Sequence, residues 1–152
     1  MTTAVETWLS AILVHAQATG TALASPITDV QIGLPVPRGR CGRVYWDGEA
    51  QPVRMGGRRD LSGELVSQKI TVTWFWPLAE TGEVQAKARV LEMATVVDDL
   101  RRRVLADSQL GGSSTDLEMG YAQPDFLQLG GATYAIVVCE FTTDYVEYPI
   151  AP

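Results

Sequence analysis

The feature that most constrains this chain is its last apolar run, residues 133–148, which contains the stretch TYAIVVCEF. Successive side chains of a strand point to opposite faces of the sheet. One face would carry Tyr134, Ile136 and Val138, and the other Ala135, Val137, Cys139 and Phe141. A strand that is apolar on both faces needs a cover on each side. The chain is therefore expected to bury this strand against helices and against further protein.

Two segments have the pattern of amphipathic helices that can supply a cover. Residues 3–18 place apolar side chains at helical spacing after a capping box of Thr3 and Glu6, and Gly20 is expected to end this helix. Residues 82–107 form the second predicted helix. Its apolar stripe consists of Val90, Met93, Val97, Leu100 and Val104, helped by Ala86, Ala94 and Leu105. Two helices cover one face of a sheet more readily than both faces. We therefore expect an identical partner subunit to complete the burial.

The remaining segments predict strands. Residues 27–37 are extended and end in prolines, which suit a sheet edge, and residues 42–48 form a short strand that runs into an Asp-Gly turn. The clearest strand is 66–76, in which Trp74 and Trp76 share a face and are expected in the core. Residues 126–129 and 133–148 predict a hairpin around a Gly-Gly turn.

This order of elements predicts a single α+β domain over residues 1–152. Its sheet is expected to be mixed or antiparallel, with about four to five strands, packed by one long helix and an N-terminal helix. Residues 49–64 are rich in glycine and arginine and have few apolar side chains. They are expected to form a mobile arm.

Composition excludes several classes of protein. The net charge of -6 argues against a general nucleic-acid binder, which carries a basic face. The sequence has no apolar run near the roughly 20 residues that a membrane helix needs, and its first residues lack the basic lead of a secretion signal. Cys41 and Cys139 form no metal or redox motif, so we expect reduced structural thiols and synthesis in the cytoplasm.

The sequence shows no pattern typical of a catalytic, cofactor or metal site. His15 is the only histidine, and its place beside the apolar stripe of the first helix favours a half-buried structural side chain. Asp98 and Asp99 point about 100° apart on a helix, so they are expected on a solvated face. The glycine-rich stretches match no nucleotide-binding motif. We therefore expect no enzymatic activity, no cofactor and no metal.

Charge is divided unevenly along the chain. All twelve Lys and Arg lie at or before Arg103, and seven acidic residues and no basic ones follow it. One stretch between glycines and prolines holds Arg38, Arg40, Arg43, Arg54, Arg58 and Arg59. Two interpretations fit these arginines: a solvated loop, or a basic docking arm that pairs with the acidic last third of a neighbouring copy. Such a head-to-tail contact closes into a ring.

The order of elements and the closing pattern resemble the tail terminator proteins, also called tail completion proteins, of long-tailed bacteriophages. That pattern is Gly-Gly-x-x-Tyr, followed by alternating apolar residues and a Tyr-x-x-Tyr end, within GGATYAIVVCEFTTDYVEY. The resemblance spans most of the chain. The long arginine-rich segment at residues 38–59 departs from it in detail.

The resemblance implies a structural virion protein of the tail or neck, assembled in the host cytoplasm. It implies a hexameric ring at the head-proximal end of the tail tube, which ends tube polymerisation and joins the tail to the head connector. The implied partners are other copies of the chain, the major tail tube protein and the connector or stopper protein. Genome DNA would pass through the lumen without sequence-specific binding. An acidic lumen suits that passage, and its candidate residues are Asp107, Asp116, Glu118 and Asp125.

Three other interpretations stay open. A head–tail connector or stopper protein of the neck would have the same format. A small enzyme or ligand-binding domain would need convergent polar groups in a pocket. A monomeric, non-catalytic α+β binding module would take up a peptide along an exposed sheet edge.

Overall fold

The computed structural model describes residues 3–49, 53–54, 64–78, 83–107, 110, 116–120 and 122–147. The elements follow in the order α1 (Ala4–Ala22), β1 (Val30–Ile32), β2 (Cys41–Glu49), β3 (Val53–Arg54), β4 (Glu64–Pro77), α2 (Glu83–Ala106), β5 (Asp116–Met119), β6 (Gln123–Leu129) and β7 (Ala132–Glu147). This is the predicted succession of a helix, a group of strands, a second helix and a closing hairpin, with β5 as an additional strand before the hairpin.

The described strands form one seven-stranded sheet in the order β1-β2-β4-β7-β5, with β3 paired to β4 and β6 paired to β7. β1 is parallel to β2, and the other pairs are antiparallel. β5 and β6 lie end to end along β7, and β2 and β3 lie end to end along β4. The sheet is therefore five strands wide, and the predicted α+β class is confirmed.

Both helices pack on the same face of this sheet. One hydrophobic cluster joins α1, α2 and alternate residues of the central strands; its largest members are Trp8, Ile12, Ile70, Trp74, Trp76, Leu100 and Phe141. Trp74 and Trp76 are fully buried, as predicted. Cys41 and Cys139 are buried free thiols, and burial raises the pKa of Cys139 to about 12. The opposite face of the sheet has no helix on it among the described residues.

The first helix begins as predicted but does not end at Gly20. Thr3 Oγ1 accepts a hydrogen bond from the Glu6 amide at 3.1 Å, and the Thr3 amide donates to Glu6 Oε2 at 2.8 Å, which completes the capping box. The helix then continues through Gly20 to Ala22. Glycine occupies position 20 because the chain folds back across it: a Cβ there would lie 2.4 Å from the carbonyl oxygen of Ile27.

The second helix matches its predicted range, but its buried stripe is rotated. Met93, Val96, Leu100 and Val104 are buried, whereas the side chain of Val90 is 64% exposed. Ala94 and Leu105 are also exposed. α2 makes its sheet contacts to β5 and β7. Val90 and Ala94 point past β7 towards β6 and are therefore left uncovered, although they belong to the apolar stripe that the sequence predicts.

Two strand predictions need correction. Asp47-Gly48 forms no hairpin turn, because β2 continues to Glu49 with a register shift between Trp46 and Glu49. Gly48 has a φ of 95°, which is suited to a bulge. Of the extended segment 27–37, only Val30–Ile32 is a strand. The Gly130-Gly131 hairpin is confirmed, with φ angles of 57° and 83° that glycine adopts freely.

Asp99 couples the two helices and does not lie on a solvated face as predicted. Its Oδ2 accepts hydrogen bonds from Thr19 Oγ1 of α1 and from Arg103 Nε, both at 2.7 Å. Burial opposes ionisation of this carboxyl, but the hydrogen bonds from Arg103 and Thr19 outweigh it and lower its pKa. Its neighbour Asp98 is 59% exposed and pairs with Arg102, in agreement with the prediction.

We expect Gly20→Ala to lower the free energy of unfolding by about 1–3 kcal/mol, the usual cost of overpacking. Alanine by itself favours a helix over glycine by about 1 kcal/mol, so destabilisation would reveal the close approach of the Ile27 carbonyl. Urea unfolding measures the difference. The matched control is Gly33→Ala, where the new Cβ meets nothing nearer than Arg43 Cδ at 3.8 Å. A Gly20→Ala protein as stable as the wild type would contradict this packing.

We expect Asp99→Asn to lower the free energy of unfolding at pH 7 by about 1–2 kcal/mol, because it removes the charge from two short hydrogen bonds. Asp98→Asn, at an exposed pair, should change it by less than about 0.5 kcal/mol. The folded-state pKa of Asp99 is lowered. The stabilisation that ionised Asp99 provides is therefore present above its pKa in the unfolded chain, near 4, and is lost as pH falls through its pKa in the folded chain. Urea unfolding should show the wild type and Asp99→Asn converging below about pH 4; an unchanged gap at pH 3 would refute this.

Candidate interaction surfaces

The arginines of the predicted docking arm have different environments. Arg43 is buried in β2, and its Nη2 and Nη1 donate to Asp29 Oδ2 at 2.9 Å and Oδ1 at 3.1 Å. The hydrogen bond from Arg43 holds the pKa of Asp29 below its usual value. This forked ion pair fixes the turn before β1 onto β2, so Arg43 stabilises the fold and is not exposed for docking.

Arg40 also has partners within its own chain. Its Nη2 donates to the Ser25 carbonyl at 2.9 Å and to a carboxylate oxygen of Glu92 in α2. Arg89 Nη1 donates to the other oxygen of Glu92 at 2.9 Å. Arg40 thereby ties the segment before β2 to α2. Its guanidinium is committed to a partly buried cluster, as that of Arg43 is to Asp29.

Of the other four arginines, two lie in the described part of the chain. Arg38 is exposed, and Arg54 lies in β3 at the backbone register position of Glu64 in β4. Arg58 and Arg59 lie outside the described residues. Most of the predicted arm at 49–64 lies there as well; its described part is Glu49, Val53–Arg54 and Glu64. The docking role of Arg38, Arg54, Arg58 and Arg59 stays a prediction.

We call the sheet face that lies away from the helices the open face. On β7 it carries Tyr134, Ile136 and Val138, which are half-buried. On β4 it carries Thr71, Thr73 and Phe75, which are buried. Phe75 meets Tyr134 edge-on, with ring centroids 6.4 Å apart. The open face thus has the apolar β7 residues that the sequence predicts, and no helix covers them among the described residues.

Acidic side chains form a row on the open face. Register places Glu118 of β5 beside Thr142 and Asp125 of β6 beside Ile136, which puts both on the same face as Glu140 of β7. A shallow groove of about 560 Å³ lies between β6 and β7 and is lined by Gln123, Pro124, Asp125, Ile136, Val138 and Glu140. One edge of the row is partly neutralised by Lys69, whose Nζ lies 3.6 Å from Glu140 Oε1.

The four acidic residues predicted for a lumen are not all together. Glu118 and Asp125 share the open face, and Asp116 lies in β5 at the register position of Asp144. Asp107 follows the end of α2, where its Oδ2 lies 3.0 Å from His15 Nε2 of α1. Its place on the helix side separates it from the others. Glu140 joins the row instead, and the alternation of side chains along the last strand was the signal that could have found it.

A second, apolar groove lies on the helix side, between α2 and β6. This α2–β6 groove has a volume of about 350 Å³ and is lined by Val90, Met93, Ala94, Val97, Asp98, Arg101, Ala122, Pro124 and Val137. The side chain of Phe126, which follows Pro124 on β6, is 70% exposed. β6 is a sheet edge in the described part of the chain. The groove and the exposed Phe126 are apolar surface of the kind found at interaction sites.

The opposite edge of the sheet has an exposed apolar segment. β1 is followed by Leu34-Pro35-Val36-Pro37, which we call the proline segment. Leu34 is 75% exposed and Val36 is 58% exposed. The Val36 amide donates to the Leu34 carbonyl at 2.7 Å, so the segment makes a tight local turn. Apolar surface is therefore exposed at both edges of the same sheet.

Other kinds of site find no support in the described part of the chain. No group of three or more His, Cys, Asp or Glu side chains there is arranged to hold a metal ion. No helix among the described residues is long and apolar enough to cross a membrane.

Comparison with known proteins finds only weak structural similarity at low identity. No protein-family model matches the chain, and no curated protein matches it. A solved protein without a descriptive name is 13% identical, with a TM-score of 0.48, over 98% of this chain and 100% of that chain. A chain of the virion of a native gene transfer agent particle is 13% identical, with a TM-score of 0.39, over 89% of this chain and 96% of that chain. At TM-scores below 0.5 neither similarity carries a functional argument.

Proposed function

We propose that this chain is a non-enzymatic structural protein of a bacteriophage virion, which forms a ring at the head-proximal end of the tail tube and acts as the tail terminator. The observation that carries this proposal is that both helices pack on one face of the sheet and leave the β7 side chains of the other face half-buried. Both helices lie on one face, while the other face holds half-buried apolar side chains and an acidic row. Such a layer is completed by further protein rather than by its own chain.

The distribution of exposed apolar surface supports assembly into a ring. The α2–β6 groove lies at one edge of the sheet and the proline segment at the other. A contact between two different surfaces of identical subunits is heterologous, and it closes into a ring when the rotation between copies allows it. The sequence resemblance to tail terminators adds the expected ring size of six and the expected partners, which are the tail tube protein and the head connector.

The acidic row supports a role at a channel through which DNA passes. We place the acidic side chains of the open face, Glu118, Asp125 and Glu140, towards the lumen of the ring, while the apolar part of that face around Tyr134 contacts further protein. Carboxylates that line a channel repel phosphates of the same sign, so they prevent the genome from adhering to the wall. A connector or stopper protein of the neck would use the same features, and it would differ in the protein that its ring binds.

Assembly is tested by the mass of the purified chain in solution. We expect a particle of six chains by light scattering or native mass spectrometry, and a six-fold ring with a central hole by electron microscopy. Binding to the tail tube protein of the same genome, with shorter tubes when the ring is present during polymerisation, would support the terminator role. Binding to the connector alone would support the stopper. A chain that remains monomeric at high concentration would overturn the ring.

The lumen assignment is tested by neutralising acids in matched pairs. We expect Glu118→Gln with Asp125→Asn to increase binding of duplex DNA several-fold at low salt, because the repulsive field at the channel wall weakens. The control pair, Asp98→Asn with Asp107→Asn, changes the net charge equally on the helix side and should leave binding near that of the wild type. Fluorescence anisotropy of a labelled duplex measures both. Equal effects of the two pairs would show that net charge alone matters, and would refute the lumen assignment.

A further inference from the structure

We infer that the hydrogen bond between Asp125 and the Phe126 amide is an autoinhibitory contact, which prevents the β6 edge from pairing with β6 of a second copy. β6 pairs with β7 on one side, and no described strand pairs with it on the other. The edge of a sheet presents backbone amides and carbonyls that can bind a strand of another chain. The contact acts within one chain, so it does not depend on the proposed ring.

The strand register decides which backbone groups of β6 point out of the sheet. The Thr133 carbonyl accepts a hydrogen bond from the Leu78 amide at 2.9 Å, so Thr133 directs its backbone groups towards β4 and away from β6. Its register partner in β6 is Gln128. Residues of an antiparallel pair alternate between those that bond to the partner strand and those that do not. Gln128, Phe126 and Pro124 therefore direct their backbone groups outward, away from β7.

Two of these outward positions offer no available donor. Pro124 has no amide hydrogen. The Phe126 amide donates to Asp125 Oδ1 at 2.8 Å, so a side chain of its own strand already occupies it. A carboxylate is a stronger acceptor than a neutral carbonyl. An incoming strand would therefore have to displace the Asp125 carboxylate before it could bind this amide.

The Phe126 amide is the donor on which pairing of two β6 strands would depend. In an antiparallel pair related by a two-fold axis at Phe126, this residue lies opposite its counterpart, and Gln128 lies opposite Pro124 of the second copy. Both central hydrogen bonds are then donated by the Phe126 amides. The Gln128 amide can donate to the Pro124 carbonyl, but proline cannot return that bond. The Asp125 contact thus removes the donors at the centre of the pair.

The side chains of β6 favour association, which the backbone contact opposes. Phe126 is 70% exposed and Leu129 is 49% exposed. Aromatic side chains that lie opposite each other on paired strands attract, and an exposed apolar edge strand is a site of aggregation. An edge with these side chains and free amides would join copies through continuous sheet. With the Asp125 contact in place, copies associate through side-chain surfaces instead.

Three variants of the full chain test the contact. Asp125→Ala frees the Phe126 amide. Asp125→Asn is the matched control, because it removes the charge and keeps a side-chain oxygen that can accept the amide. Asp125→Ala with Phe126→Lys frees the amide but places like charges opposite each other in the pair. Both residues are exposed, so the variants should fold, as circular dichroism and urea unfolding would verify.

We expect Asp125→Ala to form particles of about twice the wild-type mass or more by sedimentation velocity, because each freed edge can bind another. Hydrogen exchange measured by mass spectrometry should show slower exchange of the amides in residues 124–129 of this variant. Asp125→Asn and the double variant should keep the wild-type mass.

The contact would be overturned by an Asp125→Ala protein no larger than the wild type, or by one that associates without slower exchange in β6. Equal association of Asp125→Asn would also overturn it, because charge and not the amide would then be decisive, as would equal association of the double variant. The ring is judged separately, from the wild type. A monomeric wild type whose Asp125→Ala variant pairs would overturn the ring and support the contact. A six-chain wild type with an unchanged Asp125→Ala variant would do the reverse.

Discussion

The structure depends on a sheet that its own helices cover on one side. α1 and α2 both pack on the face that carries Trp74, Val137 and Phe141. The other face holds Ile136 and Val138 on the same strand. Because β7 lies next to β4 along its full length and β5 and β6 lie on its other side, it cannot be withdrawn from the sheet. Its second apolar face therefore remains available to other protein.

The charged residues around β1 and β2 stabilise the fold through contacts within the chain. The Asp29–Arg43 pair and the cluster of Arg40 with Glu92 hold the segment around β1 against β2 and α2. An ion pair of this kind is costly to break, because removal of one partner leaves the other partly buried and uncompensated. These contacts fix the position of the proline segment, which is the exposed feature at that edge.

The acidic residues have the opposite distribution. Glu118, Asp125 and Glu140 point away from the core, and Lys69 lies beside Glu140. Placing like charges on one face costs little when that face is wet, and it gives the face a field that repels phosphates. The apolar residues beneath the row favour contact with protein, so the open face combines attraction for protein with repulsion of nucleic acid.

The sequence alone determined the elements and their order, because periodicity, capping residues and turn glycines act locally: the capping box of α1, the Gly130-Gly131 hairpin and the burial of Trp74 and Trp76 all follow from it. It also determined that the last strand is apolar on both faces. Only the tertiary structure decided that Gly20 lies within α1 beneath Ile27, that Val90 opens onto a groove, and that Asp107 is separated from Glu118 and Asp125. These outcomes depend on where distant segments meet, and the spacing of residues along a chain does not specify such contacts.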